Sequence, residues 1–78
     1  MNAKGIINST RRLLGAKQLG SSALIAKAEL DGRNTLAQAQ LWLERTERPT
    51  DETELNHYRM VSDATESLKR VLKGEKPC

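Results

Sequence analysis

The chain has 78 residues, a formal net charge of +3 and 37% hydrophobic residues, which suits one small helical domain over residues 1–78. One cysteine, Cys78, excludes an internal disulfide, and one histidine, His57, excludes a zinc site built from several cysteines and histidines. We expect no metal and no cofactor. Because a core of this size is thin, we expect helix packing and self-association to supply stability.

The apolar residues are too dispersed for a membrane span. The longest uninterrupted apolar run, residues 23–26, is far shorter than the roughly 20 residues that a transmembrane helix needs. The N-terminus also lacks the apolar stretch of a secretory signal. We therefore expect a cytoplasmic protein that does not act at a membrane.

The N-terminal segment, residues 4–18, has the pattern of an amphipathic helix. Drawn at 100° per residue, its apolar face covers about 120° and contains Ile6, Ile7, Thr10, Leu13 and Leu14. Gly20 can end this helix in a left-handed conformation, and Ser21 or Ser22 can cap the helix that follows.

The middle of the chain supports two interpretations. The turn-forming residues 31–34 predict a break between a helix over 23–30 and a helix over 35–46, and residues 35–38 match a capping box. The alternative is one continuous helix over 22–45 that tolerates Gly32 at a cost of about 1 kcal/mol relative to alanine. The chain therefore has three or four predicted helices.

Residues 35–46 carry apolar side chains on two faces. One face, which we assign to the core, contains Leu36, Ala39, Trp42 and Leu43. The second face contains Ala37 and Leu41, which the core does not require. We expect partner binding at Ala37, Leu41, Trp42 and Tyr58, since aromatic residues anchor interfaces disproportionately. The alternative is that the N-terminal helix covers these residues.

The final helix, predicted over residues 52–73, has the most consistent signals. Thr50 or Asp51 can cap its start, Gly74 can end it, and Pro77 lies beyond it. Its apolar stripe is wide enough to contact two neighbours and contains Tyr58, Met60, Val61, Ala64, Thr65, Leu68, Val71 and Leu72. The sequence thus predicts an all-α protein in which an antiparallel hairpin of helices (22–46 and 52–73) packs with the N-terminal helix, and which self-associates.

Charge is unevenly distributed along the chain. Residues 1–28 hold five basic and no acidic side chains, whereas residues 29–54 hold three basic and seven acidic ones. The basic set, which is suited to phosphates of a nucleic acid or another anionic ligand, is Lys4, Arg11, Arg12, Lys17 and Lys27. The competing interpretation is that this segment packs against the acidic middle of the chain or of a second copy.

A break at Gly32 also allows a divergent helix-turn-helix, in which Arg33, Asn34, Gln38 and Gln40 face bases. The apolar positions fit that motif poorly.

No arrangement of serine, histidine, cysteine or paired carboxylates indicates catalysis. We therefore expect a non-enzymatic regulator, inhibitor or adaptor that binds a macromolecule. A protein is the expected partner and a nucleic acid is the alternative.

Overall fold

A computed structural model describes residues 1–75, which form three α-helices. These are α1 (Ala3–Leu19), α2 (Ser22–Arg45) and α3 (Glu52–Leu72). Each helix packs against both others, so the predicted all-helical fold is confirmed with three helices. Pro77, predicted to lie beyond the last helix, and Cys78, which excludes an internal disulfide, lie outside the described residues.

The ends of the helices follow their sequence signals. Asp51 Oδ2 accepts a hydrogen bond from the Glu54 amide at 3.2 Å, and the Ser21 hydroxyl accepts one from the Leu24 amide at 3.4 Å. Gly20 ends α1 in the left-handed region with φ of 69°, and Gly74 follows α3 with φ of 84°. The predicted bounds of α1 and α3 are therefore confirmed to within one residue.

Of the two interpretations of the middle of the chain, the break at residues 31–34 is wrong and the continuous helix over 22–45 is confirmed, because α2 runs without interruption from Ser22 to Arg45. Gly32 is buried where α2 passes α3, and a β-carbon at this position would lie 3.3 Å from Leu72 Cδ2 and 3.5 Å from Leu68 Cδ1. The glycine thus permits close approach of two helices, and packing of α3 against it offsets its low helix propensity.

The core is aliphatic and lies between the three helices. Its fully buried members with the largest side chains are Ile6, Leu13, Val61, Leu68 and Val71. Alanines at positions 3, 39 and 64 pack among them, and Leu36, Trp42, Leu43 and Leu72 are half-buried against the same cluster. The predicted core faces of α2 and α3 are confirmed, except that Met60 is 58% exposed.

The contact between α1 and α2 contains a polar cluster. The buried Ser9 hydroxyl lies 3.0 Å from Thr35 Oγ1 and donates to Asp31 Oδ2 at 3.3 Å. Arg12 Nη1 lies 3.7 Å from the same Asp31 oxygen. Because polar partners must meet in this seam, the cluster favours one register of α1 on α2.

In residues 1–75, none of the three helices combines the length and the apolar character that crossing a bilayer requires.

Candidate docking surfaces

The side of α2 that faces solvent carries a row of apolar residues. At 100° per residue they fall within an arc of about 60°. We call this row the outer face of α2, and it consists of Ala23, Ala26, Leu30, Ala37 and Leu41. All five are exposed, with Leu30 at 62% and Leu41 at 44% of full side-chain accessibility.

The outer face lies opposite the buried side of α2. Ala39 and Gly32 mark the buried side, and they are about half a turn around the helix from Leu30 and Ala37. Packing within one copy of the chain therefore does not account for the exposed leucines. In particular, α1 does not cover Ala37 and Leu41, which was the alternative that the sequence left open.

Charges beside the outer face are partly neutralised within α2 itself. Arg33 Nη2 lies 3.7 Å from Glu29 Oε2, one turn earlier in the helix. Glu44 extends the row toward the C-terminal end, where α2 stops at Arg45. The outer face is therefore an apolar row whose middle is flanked by Arg33 and Asn34 and whose C-terminal end is charged.

The predicted interface residues Trp42 and Tyr58 occupy a different surface from Ala37 and Leu41. Their rings are 6.0 Å apart, and His57 meets Trp42 edge to face at the same centroid distance. His57 Nε2 lies 2.8 Å from the Met1 carbonyl oxygen. Both aromatic rings are half-buried, so this cluster joins the end of α2 to the starts of α3 and of the chain.

Three grooves lie beside the core, and one of them is lined by Trp42 and Tyr58. The groove between α1 and α2 exposes Leu19 and Leu24 beside Arg12 and Lys27, and Asp31 also lines it. The groove between α1 and α3 is lined by Ile7 and Met60 together with charged residues of both helices. Leu19 is 75% exposed, and Leu24 at 48% and Met60 at 58% are about as exposed as the leucines of the outer face.

The predicted basic site is distributed over several surfaces. Lys4 is exposed on α1, Arg11 lines the groove between α1 and α3, and Arg12 and Lys27 share the other groove with Asp31. Lys17 turns toward α3, where its Nζ donates to the Val71 carbonyl at 2.9 Å. The structure thus brings together two of the five basic residues, with an acidic side chain beside them.

Within residues 1–75 no three histidine, cysteine, aspartate or glutamate side chains form a group suited to a metal ion.

The sequence did not reveal the full outer face. Ala37 and Leu41 were recognised, but Ala23, Ala26 and Leu30 were assigned to a separate helix. A helical wheel drawn over the whole of α2 would have shown the row. The hydrogen bond from Lys17 to α3 had no signal in the sequence, because it depends on tertiary packing.

Comparison with known proteins gave no match to a protein-family model, to a curated protein or to a solved structure.

Proposed function

We propose that this chain is a small, non-enzymatic, cytoplasmic regulator, inhibitor or adaptor that acts by docking on a protein and that self-associates. The outer face of α2 is its principal docking surface. The observation that carries the proposal is the exposure of Leu30 and Leu41 on the side of α2 opposite the core. Clustered apolar side chains that the core does not require favour an interaction surface.

We further propose that α2 and α3 form an antiparallel hairpin, which leaves this face free. Trp42, near the end of α2, contacts Tyr58 near the start of α3. Gly32, in the middle of α2, approaches Leu68 and Leu72 near the end of α3. These contacts place α3 on the buried side of α2, so neither α1 nor α3 competes with a partner for the outer face.

The experiment compares three immobilised proteins for capture from an extract of the producing cells. They are the unaltered chain, an outer-face variant (Leu30→Glu and Leu41→Glu) and a matched control (Leu19→Glu and Leu24→Glu), whose leucines lie elsewhere and are slightly more exposed. We expect the unaltered chain and the control to retain the same partner and the outer-face variant to lose it. Equal retention by all three proteins would refute the docking role of this face.

Nucleic-acid binding is the alternative function, and the geometry gives it less support. The continuous α2 lacks the turn that a helix-turn-helix needs, and the basic residues of α1 do not share one face. The discriminating test is a DNA and RNA titration at two salt concentrations. Tight binding at low salt that Arg11→Ala with Arg12→Ala weakens for every sequence would favour the alternative.

A further inference from the structure

The outer face of α2 is symmetric about the middle of its helix. The midpoint of α2, between Arg33 and Asn34, is also the midpoint between Leu30 and Ala37. The same point lies halfway between Ala26 and Leu41. Two copies related by a twofold axis through this point would therefore place their apolar rows against each other. The two α2 helices would then be in contact along their whole length.

This symmetry pairs large side chains with small ones. In an antiparallel pair of α2 helices with that axis, Leu30 faces Ala37 of the second copy and Leu41 faces its Ala26. Leucine opposite alanine lets two helix surfaces interdigitate at a short separation. A parallel pair would instead place leucine against leucine and alanine against alanine, which leaves alternating bulges and gaps along the contact.

In the antiparallel pair the helix ends carry charges of both signs, since Arg45 of the second copy lies beside Ser22. The first turn of α2 contains no acidic residue, although negative charge stabilises the N-terminus of a helix. The antiparallel arrangement brings Glu44 of the second copy beside Ala23, at that same N-terminus. Arg33, at the centre, already has Glu29 as its partner at 3.7 Å, which lowers the repulsion between the two arginines near the axis.

From these observations we infer that the outer face of α2 binds a second copy of this chain, antiparallel, with the twofold axis between Arg33 and Asn34. The inference rests on the proposed docking role of the face and names its occupant. The contact covers the 24 residues of α2, about 36 Å of helix. A contact along one helix is small compared with most specific protein interfaces, so we expect a dissociation constant in the micromolar range.

Disulfide trapping tests the register. In a Cys78→Ser background, Leu30→Cys and Ala37→Cys chains are mixed in equal amounts and oxidised. In the inferred dimer the two positions face each other, whereas two copies of residue 30 are offset by about 10 Å along the helix. A disulfide requires α-carbons closer than about 7 Å. We therefore expect about ten times more mixed disulfide than the two homodisulfides together. Random pairing of equal amounts would instead give as much mixed disulfide as the two homodisulfides together.

A matched pair of cysteines on α3 gives the control. Asp63→Cys and Glu66→Cys are exposed and away from the outer face, so their chains should cross-link slowly and in random proportions. Circular dichroism of every variant establishes that the helices are intact. Homodisulfides in excess for positions 30 and 37 would overturn the antiparallel register.

Sedimentation of the Cys78→Ser chain separates this inference from the proposed function. A chain that stays monomeric at hundreds of micromolar overturns the second copy as the occupant. If capture of another protein still depended on Leu30 and Leu41 in that case, the docking role of the face would stand. If capture were also indifferent to these leucines, both proposals would fail.

Discussion

Gly32 lies so near Leu72 that a β-carbon added to it would be 3.3 Å from Leu72 Cδ2. Gly15 is also inside a helix, but a β-carbon there would meet no heavy atom within 4 Å. We expect Gly15→Ala to stabilise the fold by about 0.5–1 kcal/mol through helix propensity alone. Gly32→Ala should gain less, because Leu72 must move. Urea denaturation of both variants measures the difference, and an equal gain would show that the close approach is unimportant.

A larger side chain at position 32 gives a stronger form of the same test. Gly32→Leu adds volume that the displacement of Leu72 cannot absorb, and overpacking of this kind costs about 1–3 kcal/mol. We expect a lower urea midpoint with α2 still helical by circular dichroism. An unchanged midpoint would mean that α2 and α3 are farther apart than the structure has them.

Trp42 and Leu41 are neighbours in sequence with opposite roles. Trp42 packs on Tyr58 and on the core, so Trp42→Ala should destabilise the fold by about 2–4 kcal/mol. Leu41 is 44% exposed on the outer face, and Leu41→Ala in a dilute, monomeric sample should change the stability by less than about 0.5 kcal/mol. Thermal unfolding followed by circular dichroism measures the stability of both variants. A similar loss of stability in the two variants would argue against a core role for Trp42 and a surface role for Leu41.

The hydrogen bond between Lys17 and Val71 predicts a role for one basic residue in the fold. The Lys17 ammonium donates to the Val71 carbonyl near the end of α3, and this carbonyl also accepts a hydrogen bond from the Gly74 amide at 3.0 Å. Lys17→Met should cost about 0.5–1.5 kcal/mol by losing this bond while keeping most of the side-chain length. Lys4→Met, at an exposed position of α1, is the control and should be neutral. If both variants unfold at the same denaturant concentration, the bond contributes nothing.

Local signals explain what the sequence predicted well. Caps at Ser21 and Asp51, the left-handed Gly20 and the apolar stripe of α3 each act within a few residues, so they indicated the end of α1, the start of α2 and the bounds of α3. Gly32 was misinterpreted because its compensation comes from Leu68 and Leu72, about 40 positions later in the chain. That error divided the outer face in two and concealed Leu30. Two of the five residues of the outer face, Ala37 and Leu41, were therefore predicted from the sequence.

The central claim is that the outer face of α2 joins two copies of this chain. Sedimentation equilibrium from about 1 to about 300 µM measures it directly, because a micromolar dimer dissociates within that range. We predict a reversible monomer–dimer equilibrium for the Cys78→Ser chain and for its control variant Leu19→Glu with Leu24→Glu. The variant Leu30→Glu with Leu41→Glu should stay monomeric throughout. A monomeric mass for all three proteins, or the same association constant for all three, would contradict the account.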